Sequence, residues 1–216
     1  MPHVASSLRE PVRPRRILLA RHGRTRWNLE NRRLGRRDVP LDDVGRAQAL
    51  AIRDLLANEQ IDAIYASPLS RARETAAPLS LTRGLAVQID DDLTEFDFGE
   101  FCGTSHADVQ VKLKRDYLYD PVPGGESLRD AWIRAERFAA RVTPILAEGA
   151  HLLVVSHRRL NRLLDGVLLG YTLEETVVET GYHPWPGSVL DIWLDVTGNE
   201  LRVIDQRMQG PDDASE

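Results

Sequence analysis

Three nearly continuous runs of apolar residues are the feature that most constrains the fold of this chain. They lie at Arg16 to Ala20, Ile61 to Ala66 and His151 to Val155. Such runs are typical of strands that are buried on both faces of a parallel sheet. A segment with helical periodicity follows each run, and strands that alternate with helices predict a parallel sheet covered by helices on both sides.

The other segments support this α/β architecture. Apolar residues recur with helical spacing in four segments, and Ser67 is a candidate N-cap for the second of them, while Ser127 with Asp130 resembles a capping box for the third. These segments are 42–59, 68–81, 128–146 and 158–169. Two further strands are predicted at Ser188 to Val196 and Leu201 to Met208, as an antiparallel pair at one edge. We therefore expect a three-layer α/β/α sandwich with a mostly parallel central sheet.

Length and composition indicate a single domain and exclude several classes of partner. The chain has 216 residues, and 33 acidic against 28 basic side chains give a net charge of -5, which argues against nucleic acid as a partner. Its one cysteine, Cys102, excludes an internal disulfide and favours the cytoplasm, and no apolar run is long enough for a membrane span. We expect a flexible arm over 1–14, a catalytic domain over 15–208 and an acidic tail over 209–216.

Basic side chains directly follow the three apolar strands. Arg21 and His22 follow the first strand, Arg71 lies shortly after the second, and His157 follows the third. In open α/β sheets ligands bind beyond the carboxyl ends of the strands, so these groups should meet at one edge. Guanidinium groups neutralise phosphoryl oxygens and a neutral imidazole can attack phosphorus, so the set suits phosphoryl transfer.

Several short motifs, in a fixed order, carry a family resemblance. They are Arg21-His22-Gly23-Arg24-Thr25 with Asn28; Gly35, Asp38, Pro40-Leu41, Gly45 and Gln48-Ala49; Ser67 to Ala76; Leu93, Glu95, Phe98, Gly99 and Gly103; Gly125-Glu126-Ser127; and Val155-Ser156-His157. In this order they resemble the histidine phosphatase superfamily, which includes the phosphoglycerate mutases. The resemblance extends from about residue 16 to 190 and implies a phosphoglycerate mutase-like fold.

The resemblance also implies roles for particular residues. His22 would be phosphorylated, Glu95 would protonate the leaving oxygen and then help water attack, and three further groups would hold the phosphoryl oxygens. Those three are Arg21, Arg71 and His157, and Asn28, Arg24, Thr25 and Gly35 are further candidates for phosphate binding. No metal and no other cofactor would be required, because Arg and His supply the positive charge. Arg21 and Arg71 should also lower the pKa of His22 and keep it neutral.

The chain departs from the family pattern after the second histidine. Members of the family usually have Gly-Gly or Gly-Asn there, whereas this chain has Arg158 and Arg159. Cations are disfavoured at a helix N-terminus by the helix dipole. Our hypothesis is that Arg158 or Arg159, together with Arg24 and with Arg36 or Arg37, binds a second anion on the substrate.

The expected function is hydrolysis of a small anionic phosphorylated metabolite, a sugar phosphate or phosphoglycerate-type compound, by a metal-independent phosphatase. Glu95 is followed by Phe96-Asp97-Phe98, which resembles the phosphatase branch, whereas mutases carry Glu-Arg-x-Tyr-Gly. The alternatives are a 2,3-bisphosphoglycerate-dependent phosphoglycerate mutase, a protein-directed phosphatase and a non-catalytic protein that binds phosphate ligands. The substrate and a homo-oligomeric state stay open.

Each candidate residue also has a structural alternative. His22 and His157 could be hydrogen-bonded core histidines, Arg71 could form a surface ion pair with Glu74, and Glu95 could be a solvated loop carboxylate. Asn28 could be a turn residue. A further group, Tyr182, His183 and Trp185, is an additional candidate for the pocket lining.

Overall fold

The central sheet is mostly parallel, with one antiparallel pair at its edge. A computed structural model describes residues 14–105, 117–179, 183–197 and 200–211. Within them lie the strands β1 (Arg15–Arg21), β2 (Ala63–Ala66), β3 (Val87–Ile89), β4 (His151–Ser156), β5 (Val189–Thr197) and β6 (Glu200–Gln209). Their order across the sheet is β3-β2-β4-β1-β5-β6. The pairs among β1 to β4 are parallel, and β5 is antiparallel to both β1 and β6, as predicted.

Helices cover both faces of this sheet. The described residues contain α1 (Arg26–Leu29), α2 (Asp43–Leu55), α3 (Ser70–Arg83), α4 (Leu128–Ala147), α5 (Arg158–Leu169) and α6 (Leu173–Glu179), with single 3₁₀ turns at Asp91–Leu93 and Gly99–Phe101. The capping box predicted at the start of α4 is present. None of these helices is long and apolar enough to cross a lipid bilayer.

Alternate residues of the central strands pack into two separate apolar cores. Ile17 and Leu19 of β1 join the core that includes residues of α4, α5 and α6. Leu18 and Ala20 join the core on the opposite face, with residues of α2 and α3. Because successive side chains of a strand point to opposite faces, this division confirms the three-layer α/β/α sandwich.

The prediction of Ser67 as the N-cap of the second helix was wrong. Helix α3 begins at Ser70, and its N-cap is Leu69, which makes no side-chain capping hydrogen bond. The Ser67 hydroxyl lies instead 2.8 Å from Nε2 of His157. The Ser67 side chain, directly after β2, is therefore directed towards His157, and the helix starts three residues later.

The described residues reach into both ends of the predicted domain. Strand β1 begins at Arg15, and residues 1–13 of the predicted arm lie outside the described part. At the other end, β6 continues to Gln209, and the indole N–H of Trp185 donates to the carbonyl of Pro211 at 2.7 Å. The rest of the predicted tail, 212–216, also lies outside the described residues.

Candidate active site

The register of β1 and β4 brings the two candidate histidines together. Arg21 and Ser156, the last residues of these two adjacent strands, are partners in this parallel pair. His22 and His157 directly follow them. The backbone N–H of His22 donates to the carbonyl of Ser156 at 3.0 Å. The two imidazole centroids lie 5.1 Å apart, and both rings are buried.

The hydrogen bond of His22 fixes which ring nitrogen is free to react. Nδ1 lies 2.7 Å from the carbonyl oxygen of Gly23, and a carbonyl oxygen can only accept. Nδ1 therefore carries the proton, and Nε2 retains its lone pair. Burial, followed by the positive charges of Arg71 and Arg21, lowers the pKa of His22 well below its usual value near 6.5. The lowered pKa keeps the imidazole neutral, as a nucleophile requires.

His157 is held in the opposite tautomer. The Nε–H group of Arg71 donates to Nδ1 of His157 at 3.2 Å, so Nε2 carries the proton and donates to the hydroxyl of Ser67. Burial, with the charge of Arg71 as the next cause, lowers the pKa of His157 well below its usual value. Two neutral imidazoles therefore lie side by side at the edge of the sheet.

Both histidines should make the fold sensitive to acid. Below about pH 6.5 the two histidines are protonated in the unfolded chain but stay neutral in the folded protein. The free energy of unfolding therefore falls as pH falls, by up to about 1.4 kcal/mol per pH unit for each ring. We expect urea unfolding between about pH 7.5 and 5.5 to show a shallower loss of stability in His22→Asn than in the wild type. Equal slopes in the two proteins would contradict the depressed pKa of His22.

Arg71 is a fully buried residue of α3 whose hydrogen bonds connect this helix to two other segments of the chain. Besides His157, its guanidinium donates to the carbonyls of Gly35 at 2.8 Å and Arg37 at 2.7 Å. Burial lowers its pKa to about 10. These contacts exclude the alternative of a surface ion pair with Glu74. Arg21, also buried, donates to the carbonyl of Pro184 at 2.8 Å.

Glu95 caps the N-terminus of α5. Its Oε1 accepts hydrogen bonds from the backbone N–H of Phe96 at 2.9 Å and of Leu160 at 3.3 Å, and Oε2 lies 3.5 Å from the N–H of Arg159. The side chain is only 7% exposed, which excludes the alternative of a solvated loop carboxylate. The carboxyl group is thus held at the start of α5, whose N-cap residue is His157.

Close packing against α2 holds the loop that follows β1. A Cβ on Gly45 would lie 2.0 Å from the carbonyl oxygen of Arg24, so only glycine permits this approach. The N–H of Arg24 donates to Oε1 of Gln48 at 2.7 Å, and the N–H of Gly23 donates to the hydroxyl of Thr75 at 3.0 Å. The Gly-x-x-Gln motif therefore fixes the backbone beside His22.

A cavity of about 780 Å³ opens over His22. Of the predicted site residues, those that line it are Arg21, His22, Arg24, Asn28, Gly35, Glu95, Arg158 and Arg159. Arg71 and His157 contact the site without reaching the cavity surface. Asn31, Arg32 and Arg33, which sequence reasoning did not name, also line it, together with Arg162 and with Phe98 from the motif around Glu95. The arginines that follow Asn28 in the sequence are the signal that could have identified this wall.

Three predicted binding residues lie elsewhere. Thr25 is fully buried and forms the capping box of α1 with Asn28, so its hydroxyl is not on the cavity. Arg36 and Arg37 are also absent from the lining, and Arg36 pairs with Glu126 at 3.0 Å. Asn28 remains on the cavity, with its amide oxygen used in the cap.

The candidates near the C-terminal strands divide in the same way. His183 lines the cavity, whereas Trp185 donates to Pro211 and does not line it. Tyr182 lies outside the described residues. Among the residues that the structure describes, no group of three or more His, Cys, Asp or Glu side chains is arranged to hold a metal ion.

Comparison with known proteins gives consistent matches. The sequence model of the histidine phosphatase superfamily (branch 1) matches residues 17–181. The 2,3-bisphosphoglycerate-dependent phosphoglycerate mutase of Methylobacterium sp. (strain 4-46) is 35% identical in an alignment of 207 positions that covers 89% of this chain and 98% of the mutase.

Solved structures match over nearly the whole chain. Mycobacterial glucosyl-3-phosphoglycerate phosphatase superposes with a TM-score of 0.77 at 27% identity, over 92% of this chain and 98% of that one. Structures of that phosphatase include complexes with inorganic phosphate and with VO3. The alpha-ribazole phosphatase from Shigella flexneri gives a TM-score of 0.75 at 27% identity, over 91% of this chain and 96% of that one.

Proposed function

Because the chain belongs to the histidine phosphatase superfamily, we propose that it hydrolyses a small phosphorylated metabolite through a phosphohistidine at His22. The observation that carries this proposal is the pairing of a neutral nucleophile with a carboxyl group on one cavity. His22, whose Nε2 lone pair is free, and Glu95 both line the same cavity. A nucleophile and an acid are the two groups that transfer to histidine requires.

In the first step, Nε2 of His22 attacks phosphorus in line with the leaving oxygen. The new N–P bond forms as the P–O bond breaks, and Glu95 in its protonated form gives its proton to the leaving oxygen. Arg21 neutralises the phosphoryl oxygens, aided by Arg71 and His157 beside His22. The product alcohol leaves, and Glu95 is then a carboxylate.

In the second step, water attacks the phosphohistidine. Glu95 takes a proton from the attacking water, the N–P bond breaks, and its electron pair returns to Nε2 of His22. Inorganic phosphate leaves with the new P–O bond, and Glu95 is again protonated. The same carboxyl group thus serves as acid and then as base, and the enzyme returns to its starting state.

The relatives support two candidate reactions. Both structural relatives described above are named phosphatases, and Phe96-Asp97-Phe98 after Glu95 fits that branch. The mutase relative favours a second candidate, in which the phosphoryl group returns to a phosphoglycerate instead of passing to water. We favour hydrolysis because the residues that follow Glu95 differ from the mutase pattern.

Phosphate release in the presence of EDTA tests this function. We expect the wild-type protein to release phosphate from at least one member of a panel of sugar phosphates, phosphoglycerates, phosphoserine and an aryl phosphate. We also expect EDTA to leave the rate unchanged, because guanidinium and imidazole groups supply the charge that a metal supplies elsewhere. Loss of the rate with EDTA, restored by a divalent metal, would contradict the metal-independent mechanism.

A second assay separates the mutase. Conversion of 3-phosphoglycerate to 2-phosphoglycerate that depends on added 2,3-bisphosphoglycerate, without net phosphate release, would replace the phosphatase assignment. If neither reaction occurs with any compound, the alternative of a phosphate-binding protein gains the support.

A further inference from the structure

The cavity carries more positive charge than one phosphoryl group can balance. Among the described residues, seven arginines line it, and its only acidic side chain is Glu95. A phosphomonoester carries a charge of about -2 at neutral pH. Arg21 lies next to His22 and can neutralise the phosphoryl group there. The reaction at His22 therefore does not account for most of the positive charge of the other arginines.

Three of these arginines belong to α5. Arg158 and Arg159 are its first two residues, and Arg162 follows one turn later. The helix dipole opposes cations at this end of a helix. In the parts of the chain that the structure describes, neither Arg158 nor Arg159 forms an ion pair with a carboxylate.

Two other arginines of the cavity do have such partners. Arg24 pairs with Asp42 at 2.8 Å, and Arg32 pairs with Glu30 at 3.2 Å. Their charges are therefore partly neutralised by the protein itself. Arg158 and Arg159, at the start of α5, have no such carboxylate partner among the described residues.

Aromatic rings support the guanidinium of Arg159. Its Cζ lies 5.6 Å from the ring centroid of Phe96 and 5.5 Å from that of Phe98, within the range of cation–π contacts. Burial lowers the pKa of Arg159 to about 10, and the charges of Arg158 and Arg162 act in the same direction while Glu95 opposes them. A partly buried guanidinium that is repelled by its neighbours gains stability when an anion binds beside it.

We propose that the substrate carries a second anionic group, a carboxylate or a second phosphate, which Arg158 and Arg159 bind while the phosphoryl group lies at His22. The planar fork of a guanidinium matches the paired oxygens of either group. The cavity, of about 780 Å³, is within the size range of sites for whole metabolites. This inference rests on the proposed function, and it narrows the substrate class to phosphomonoesters with a remote anion.

Matched pairs of substrates test the inference. 3-Phosphoglycerate and glycerol 3-phosphate differ only in a carboxylate, and fructose 1,6-bisphosphate and fructose 6-phosphate differ only in the second phosphate. In the double variant Arg158→Gln/Arg159→Gln, we expect KM for the anionic member of one pair to rise about tenfold more than KM for its partner. The pair that responds identifies the second anion.

Control variants separate this effect from loss of net charge or of folding. Arg73→Gln/Arg129→Gln removes two charges from exposed positions outside the cavity lining, and we expect it to leave both KM values unchanged. The single variant Arg158→Gln alters only the exposed arginine and leaves the packing of Arg159 on Phe96 and Phe98 intact. In this variant we expect KM to rise more for the anionic member of the pair than for its partner, but by less than in the double variant.

Binding measurements keep this inference separate from the proposed function. If no compound is hydrolysed, calorimetry with the same four compounds still shows whether the anionic member binds the wild type more tightly and whether Arg158→Gln/Arg159→Gln removes that difference. Equal changes for both members of each pair, or no change for either, would overturn the second-anion site.

Discussion

Replacement of His22 by alanine is expected to lower kcat by about 10⁴-fold or more and to abolish the phosphoenzyme, because Nε2 of His22 forms the N–P bond of the proposed mechanism. Its Nε2 is the ring nitrogen whose lone pair is left free by the hydrogen bond from Nδ1 to Gly23. The measurement is rapid alkaline quenching of enzyme with a radiolabelled substrate, followed by mass spectrometry of the labelled peptide. The label should map to the peptide that contains His22.

The matched control for this substitution is His151→Gln. His151 begins β4, at the opposite end of that strand from His157, and it does not line the cavity. This variant should keep the wild-type kcat, and thermal unfolding should show that both variants fold. Retention of more than about 1% of kcat by His22→Ala, or a label on another residue, would exclude the proposed nucleophile.

Replacement of Glu95 by glutamine is expected to lower kcat/KM for an alkyl phosphate by about 10²- to 10⁴-fold, since an alkoxide leaves poorly without a proton. A nitrophenyl phosphate should be less affected in the first step, because nitrophenolate leaves without an acid. Its second step still needs a base, so the phosphoenzyme should accumulate. Stopped-flow absorbance should then show a burst of nitrophenolate that approaches one equivalent of enzyme.

The choice of glutamine separates chemistry from structure. Its amide oxygen can still accept from the N–H groups of Phe96 and Leu160, so the cap of α5 is kept. Glu95→Ala removes the cap as well and should cost about 1 kcal/mol of stability. Glu100→Gln, an exposed change in the same connection, is the control. Equal losses with both kinds of substrate and no burst would show that Glu95 does not transfer protons.

The sheet and the histidine pair were predictable because they depend on local patterns. The apolar runs identified β1, β2 and β4, and His22 and His157 follow two of them directly. Parallel pairing then converts positions in the sequence into neighbours in space. The strand order, which places β4 beside β1, and the register, with Arg21 opposite Ser156, came from the structure.

The misses share a different cause, which is dependence on distant parts of the chain. Strand β3 has only three residues and is formed by pairing with β2, and Arg36 is neutralised by Glu126, 90 residues away. Ser67 resembles a helix N-cap in the sequence, but its hydroxyl contacts His157, which lies 90 residues further along the chain. Neither composition nor periodicity within a window of sequence contains such information.

The strand order has a consequence for how the chain acquires its shape. Strand β4 lies between β2 and β1, although it comes after both in the sequence. Before β4 is in place, β1 and β2 have no direct pairing, and Arg71 lacks the histidine that lies 86 residues further on. Loop closure over such separations is slow. On the ribosome, the first 150 residues therefore cannot complete the sheet, and we expect β1 and β2 to stay unpaired with each other until β4 has been synthesised.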